Sequence, residues 1–344
     1  MVASDTRASA SSSCWCTSSA LRCRPEPMRS NRSRIRRRWG VRRRPSSCNP
    51  RSRGSSTRAD VDPEGIGHEP VFSTVTTNER RRQWLKATAL PSMRILQLSD
   101  PHLLADPQGL VRERPALNLW HRALAQVRQT RPDLLLVTGD LCQDESWGGY
   151  GQLRESLTDL PAEMAVALVA GNHDQPTLLR AALGRQALVG PAEIVRGQGR
   201  LLLLSSHLAG QCGGGLGTPQ LRWLDQRLND PRHTSTATLV ALHHPPLPIG
   251  DPGLDRIGLR DGEALISLLQ RAPALKAVLF GHIHQHWQGR LPGRADVALL
   301  ACPSTLKSFQ AVQPCPLGRP DDPGGRWLDL KADGALETSL LRWS

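Results

Sequence analysis

No stretch of this 344-residue chain approaches the ~20 consecutive apolar residues that a membrane helix needs, which excludes a helical membrane protein. No fixed repeat recurs, which excludes collagen, coiled-coil and solenoid architectures. The eight cysteines include no Cys-x-x-Cys pair, so a zinc ribbon lacks its spacing, and a disulfide scaffold does not suit a chain this long. Apolar residues make up 39%, low for a chain packed throughout. Acidic residues are scarce only at one end. Residues 1–92 hold 19 Lys and Arg against 7 Asp and Glu, whereas the rest holds 25 against 24. The net charge of +13 therefore belongs almost wholly to the first segment, and the body has no basic excess to offer nucleic acid. Ten of the eleven histidines lie after residue 93, which places histidine chemistry in the body.

Residues 1–60 are rich in Ser and Arg, with runs at Arg36–Arg38 and Arg42–Arg44 and no hydrophobic periodicity. So little apolar surface cannot offset the entropy of ordering, and residues 1–92 are expected to form a disordered basic extension. Three origins stay open for it. It is a tail or basic arm for nucleic acid or anionic lipid, or an address signal, or upstream codons ahead of a true start at Met93. Arg81-Arg82-Gln83-Trp84-Leu85-Lys86 looks like a twin-arginine signal, but no apolar region follows it before Pro91. Met93 stands directly before the first strand pattern, which favours the third origin.

From residue 93 to 344 apolar strands alternate with amphipathic helices. Strands are expected at Arg94–Leu98, Leu134–Val137, Met164–Val169, Leu201–Leu204, Thr238–Leu242, Ala277–Phe280 and Val297–Leu300, with closing segments near Trp327 and Leu340. Leu119 to Val127 has helical spacing. Thr218-Pro219 is expected to open a helix, with Thr218 as N-cap and Leu221, Leu224 and Leu228 on one stripe. Near-continuous apolar strands between helices argue for an α/β fold with sheets covered on both faces. The 252 residues are ample for one well-buried core.

Five of these strands run into polar residues of the same kinds: Ser99-Asp100-Pro101-His102, Thr138-Gly139-Asp140, Gly171-Asn172-His173-Asp174, His243-His244-Pro245-Pro246 and Gly281-His282-Ile283-His284. Ligands of open α/β sheets bind at the carboxyl ends of strands. Asp100 and His102 are two apart, so an extended chain points both to one face; His282 and His284 share that spacing. Gly139, Gly171 and Gly281 stand where the backbone must turn or approach closely. Oxygen mixed with imidazole nitrogen suits Mn, Fe, Co or Zn rather than Ca. Seven such ligands exceed what one ion uses, and two ions ~3.5–4 Å apart sharing a carboxylate accommodate them. Two carboxylates against two divalent cations leave a positive site, which suits an anionic phosphate ester better than a neutral amide. Each motif alone is ordinary; five in this order, each after an expected strand, point to metal chemistry.

At these residues the chain resembles the calcineurin-like metallophosphoesterase superfamily, whose signature is D-x-H, G-D, G-N-H-[DE], a His, then G-H-x-H. The resemblance implies a four-layer α/β/β/α sandwich with a dinuclear metal site at the sheet edge. It extends to the class III 3′,5′-cyclic-AMP phosphodiesterases through Leu96–Asp100, Gly139-Asp140-Leu141 with Gln143-Asp144, Pro219–Leu224, His243–Pro248, Gly281–Gln285 and Pro303-Ser304-Thr305. By position it implies that Asp100, His102 and His284 hold one metal ion, that Asn172, His243 and His282 hold the other, and that Asp140 bridges them. His243 is preferred to His244 as the first residue after its strand. The ions implied are divalent: Fe, Mn or a mixed pair, with Zn or Co also suitable. Gly213-Gly214-Gly215 stands in a substrate-bordering loop where the family usually places other residues.

The implied reaction is hydrolysis of 3′,5′-cyclic AMP to AMP by a metal-bridging hydroxide, in line with the leaving 3′-oxygen. Substrate contacts are expected from His102, Asp140, Asn172, His173 and His284. His173 would give a hydrogen bond or proton to the phosphoryl or leaving oxygen, and Asp174 would fix its tautomer. His207, His286 and His121 are expected at the surface or in supporting positions, and Cys142 as a buried thiol. The expected partner is a small cyclic nucleotide or phosphodiester, with no membrane and no nucleic acid, in a cytoplasmic enzyme. Competing readings are a broader phosphodiesterase or monoesterase, acting for example on glycerophosphodiesters, and a non-catalytic scaffold or nucleic-acid-binding protein. A scaffold would have lost ligands, and none is missing here.

Overall fold

The computed structural model describes residues 92–343. The expected basic extension therefore lies, apart from Ser92, outside the described residues. Two six-stranded sheets organise the rest. The first contains β1 (Met93–Leu98), β4 (Leu134–Thr138), β5 (Ala165–Val169), β6 (Leu188–Val189), β13 (Gly324–Leu330) and β14 (Leu336–Arg342), in the order β14-β13-β1-β4-β5-β6. The second contains β7 (Ala192–Arg196), β8 (Gly199–Leu203), β9 (Ala237–Ala241), β10 (Leu275–Phe280), β11 (Gln288–Leu291) and β12 (Arg294–Ala301), in the order β11-β12-β10-β9-β8-β7. A small hairpin pairs β2 (Leu110–Val111) with β3 (Arg114–Pro115).

Each sheet has a parallel run, β1-β4-β5-β6 in one and β8-β9-β10-β12 in the other; β13 and β14 extend the first sheet antiparallel on one side, and β7 and β11 are the antiparallel edges of the second. Side chains alternate between the faces of a strand, and here both faces are buried. Ile95, Leu134, Leu136, Ala167 and Val169 of the first sheet meet Leu201, Leu203, Leu239, Ala241, Ala277 and Leu279 of the second. The alternate residues Leu96, Leu98, Leu135, Val137 and Leu168 pack outward on Trp120, Leu124, Val127, Tyr150, Leu153 and Leu179, from the helices Ala116–Thr130, Trp147–Ser156 and Pro176–Leu183. Leu202, Val240, Val278 and Phe280 pack outward on Leu224, Leu228, Leu265 and Leu269, from the helices Gly217–Leu228 and Gly262–Gln270. The layers are thus helix, sheet, sheet, helix, the sandwich that the family resemblance implies.

One expectation is corrected. The helix near 218 begins at Gly217, with Leu216 rather than Thr218 before its first turn and no side-chain cap from its own sequence. Asp261, at the start of another helix, accepts the N–H groups of Leu216 (2.9 Å) and Gly217 (2.7 Å) instead. A carboxylate there serves the unpaired donors and the positive end of the helix dipole.

Leu136 lies fully buried between the sheets. Leu136→Ala is expected to destabilise the fold by ~2–5 kcal/mol, read by denaturant or thermal unfolding.

Candidate metal centre

Pairing between strands runs on past the strand ends. The N–H of Asp100 bonds to Gly139 O (3.0 Å), that of His102 to Asp140 O (2.9 Å) and that of Gly281 to His243 O (3.0 Å). The loops that carry the polar motifs are thereby held side by side. Asp100, His102, Asp140, His282 and His284 all have positive φ, between 48° and 68°. Non-glycine residues in this left-handed region carry strain that surrounding structure must hold in place, typically at functional sites. The expected extended geometry at Asp100 and His102, and at His282 and His284, is accordingly corrected: each pair converges through tight turns.

Two groups of side chains meet at these ends. In the first, His284 Nε2 lies 3.1 Å from His102 Nε2 and 3.3 Å from Asp100 Oδ1, and His102 Nε2 lies 3.7 Å from Asp140 Oδ2. In the second, Asn172 Oδ1 lies 3.1 Å from His243 Nε2 and 3.0 Å from His282 Nδ1, and these two nitrogens are 3.3 Å apart. Asp140 belongs to both, because its Oδ1 lies 3.4 Å from His243 Nε2. All seven residues named from the sequence as metal ligands therefore come together, six of them buried and Asn172 half-buried.

His244 points elsewhere. Its Nδ1 meets Ser206 Oγ (2.8 Å) and its Nε2 the carbonyl of Cys212 (3.0 Å), so both ring nitrogens are engaged. Although His244 neighbours His243 and His282 in a possible three-histidine group, this geometry favours His243 as the donor to the cluster. Gly214 packs on the His244 ring, where a Cβ would overlap it, so this glycine of the 213–215 run serves packing around His244.

The donor chemistry fits a metal ion. His243 Nδ1 donates to Thr138 O (2.7 Å) and His284 Nδ1 to Lys307 O (3.1 Å), because a carbonyl only accepts. In a neutral ring each Nε2 is then a bare lone pair that faces oxygen lone pairs, His284 toward Asp100 and His243 toward Asp140 and Asn172. Such a meeting is relieved by a shared cation, a proton or a metal ion. Asp100 Oδ2 and His282 Nε2, moreover, are buried without a hydrogen-bond partner. Burial pushes the His102 pKa down to about 3 and that of His282 well below the ordinary imidazole value, which keeps both rings in the neutral form that binds metal. Burial also opposes ionisation of Asp140, but His243 and His102 beside it hold the carboxyl well below the usual carboxylate range. For His243 burial lowers the pKa, but Asp140, Asp100 and the Thr138 carbonyl together outweigh it and raise the pKa to about 9, so the carboxylates draw positive charge to this point.

His173 lies half-buried, edge-on to the His102 ring at 5.2 Å, with its backbone N–H on Asp140 Oδ1 (2.9 Å). The expected contact with Asp174 is not formed. Asp174 accepts from the backbone N–H of Leu141 (3.1 Å), Cys142 (3.1 Å) and Gly171 (2.8 Å) and from the Tyr150 hydroxyl (3.2 Å), so it ties the β4 and β5 loops together. The neighbour of His173 Nδ1 is instead Gln143 Nε2, at 3.3 Å. The roles of Gln143 and Tyr150 were not legible in local pattern, since their partners lie 30 and 24 residues away. His207 Nδ1 bonds to Gly171 O (2.9 Å), His286 is buried beside Arg326, and His121 is exposed. Cys142 is a buried thiol beside Asp144.

A calcineurin-like phosphoesterase profile matches residues 93–286, more than half of the chain. The chain belongs to the calcineurin-like phosphoesterase family. It is 54% identical over 256 residues to a probable cyclic nucleotide phosphodiesterase of Synechococcus sp. strain WH7803, covering 73% of this chain and 97% of that protein. It is 36% identical over 265 residues to the Escherichia coli K12 3′,5′-cyclic adenosine monophosphate phosphodiesterase CpdA, covering 73% of this chain and 90% of that one. In fold it is similar to a dimetal phosphatase from Danio rerio, with TM-score 0.51, 16% identity and coverage of 74% and 100% of the two chains. Among the described residues no helix is long and apolar enough to cross a membrane.

A methyl group at Gly171 would overlap Asp140 Oδ1. Gly171→Ala is expected to keep its far-ultraviolet circular dichroism yet lose most of its tightly bound metal, read by elemental analysis of the purified protein. Unchanged metal content would show that the close packing of Gly171 on Asp140 does not govern metal binding.

Proposed function

We propose that residues 93–344 form a dinuclear metal-dependent phosphodiesterase that hydrolyses 3′,5′-cyclic AMP to AMP. The observation that carries this reading is the position of Asp140, whose two oxygens face different donor groups. On this reading Asp100, His102 and His284 hold one divalent ion, Asn172, His243 and His282 hold the other, and Asp140 is shared. Iron, manganese or a mixed pair suits this oxygen–nitrogen set, and zinc and cobalt are compatible with it. Ions bound there would supply Lewis acidity toward the phosphoryl oxygens and lower the pKa of an attacking water.

The chain's own groups do the rest. An amide Nε2 can only donate, so Gln143 donates to His173 Nδ1, and the neutral ring carries its proton on Nε2. That proton is available to a phosphoryl oxygen or to the leaving 3′-oxygen. The backbone bond from His173 to Asp140 holds the His173 main chain beside the shared carboxylate. Asp174 acts as a positioning residue, because it holds the loops of Asp140 and Asn172 in register through backbone N–H groups. The names of the relatives support cyclic nucleotide as substrate.

The test is AMP release from 3′,5′-cyclic AMP by the full chain, metal-stripped against Mn²⁺- or Fe²⁺-loaded, with bis(p-nitrophenyl) phosphate alongside. Metal-dependent turnover of both supports the proposal. Turnover of the synthetic diester alone overturns the substrate, and turnover of neither by folded, metal-loaded protein overturns the enzyme. Asp140→Ala and Asn172→Ala are each expected to lose ~10³-fold or more in rate, like removal of a central electrostatic group. His173→Ala should cost ~10²–10⁴-fold in kcat with metal content unchanged.

A further inference from the structure

β8 lies beside β9 in the parallel run of the second sheet, yet its carboxyl end supplies none of the seven convergent donors. The loop that follows it, Ser205-Ser206-His207, makes contacts of another kind. Ser206 Oγ accepts the backbone N–H of His244 (3.2 Å) and meets that ring at Nδ1 (2.8 Å), so it holds the turn that begins with His243. The next residue reaches the other sheet. His207 Nδ1 lies 2.9 Å from Gly171 O, and because a carbonyl only accepts, the imidazole donates. Two adjacent residues of one loop therefore grip the β9 loop, which carries His243, and the β5 loop, which carries Asn172.

Gly171 is held on every side. Its N–H donates to Asp174 Oδ2 (2.8 Å), and a methyl group on its Cα would overlap Asp140 Oδ1 and the His243 ring. Its carbonyl is the group that His207 holds. That carbonyl belongs to the peptide joining Gly171 to Asn172, and a peptide is planar. Fixing the oxygen thus fixes the N–H and Cα of Asn172 as well. Asn172 is the one half-buried donor of the seven, and its Oδ1 stands 3.1 Å from His243 Nε2 and 3.0 Å from His282 Nδ1. His243 and His284 are oriented by bonds from their own rings to carbonyls, whereas Asn172 is oriented through its backbone. Its oxygen is also neutral, with no net charge to draw it to a cation, so its hold depends on placement.

We infer that His207 is a positioning residue for Asn172, whose Nδ1–H holds the Gly171–Asn172 peptide so that the amide oxygen stays aimed at the ion it shares with His243 and His282. The inference rests on the two-ion reading above. Groups that orient metal ligands from behind are worth ~10–100-fold in metal affinity. The role needs a donor at Nδ1 and nothing from Nε2. An Asn side chain carries its amide nitrogen on Cγ, where Nδ1 stands; a Gln side chain carries it one bond further out, where Nε2 stands.

Calorimetric titration of the metal-stripped full chain with Mn²⁺ reads the ions without turnover. Wild type is expected to bind two. His207→Ala should weaken one of them by ~10–100-fold and leave the other in place, with the same step of the titration affected as in Asn172→Ala. His207→Asn should recover most of that loss, and His207→Gln should not. Far-ultraviolet circular dichroism of the metal-free variants checks the fold, and an unfolded His207→Ala leaves the Asn and Gln pair to decide. Wild-type affinity for both ions in His207→Ala, or in His207→Gln where the Ala variant does not fold, overturns the inference. Equal weakening of both ions also overturns it, since a loosened fold would do that. So does a loss in His207→Asn as large as in His207→Ala, which would make the imidazole itself a ligand. Wild type that binds fewer than two ions removes the two-ion reading and the inference with it. Two ions and turnover with no effect of His207 remove the inference alone; two ions and a His207 effect without turnover remove only the reaction.

Discussion

The two oxygens of Asp140 face different groups of donors, and much of the architecture at the strand ends exists to let them. Oδ2 looks to His102 in the first sheet's loops, and Oδ1 to His243 in the second's. One short side chain can reach both only if three loops crowd around it. Glycines provide the clearance: a methyl group would strike the His243 ring at Gly139, Asp140 itself at Gly171, and Ser99 at Gly281. The same crowding forces Asp100, His102, Asp140, His282 and His284 into left-handed backbone. Each such residue costs on the order of 1–3 kcal/mol, and sheet pairing continued into the loops holds it there.

The covered α/β sheets were legible in the sequence because their central strands are buried on both faces; that two such sheets stack as a sandwich came only with the family resemblance. Segments such as Leu134–Val137 and Ala277–Phe280 are therefore unbroken apolar runs, with no alternation to confuse them. The seven convergent side chains were legible for a related reason: each follows directly on such a run. Sequence could not reveal partnerships made at a distance. Asp174 looks like a companion of His173, yet its oxygens meet backbone donors of another loop. Thr218 has the chemistry of a cap, but the helix end is served by Asp261, 44 residues on from Gly217. Gln143 and His207 acquire roles only once the fold sets them against His173 and Gly171. Strands β6 and β7 and the β2–β3 hairpin are short or half-exposed, so they lack the apolar signature that marked the rest.

The division of the centre between the sheets couples its chemistry to the fold. Asp100, His102, Asp140 and Asn172 follow strands of the first sheet; His243, His282 and His284 follow strands of the second. Neither half alone has both a carboxylate and enough imidazole for two ions. The hydrophobic layer between the sheets brings the halves together without any help from the polar residues, since Leu136, Leu239 and Leu279 already lock the sheets face to face. That layer then imposes contacts that the polar residues would not choose, lone pair against lone pair and left-handed backbone at five positions. A cation that binds the assembled cluster, and not the unfolded chain, relieves the first of these and stabilises the whole sandwich by linkage. Packing therefore pre-organises the centre, and binding at the centre reinforces the packing.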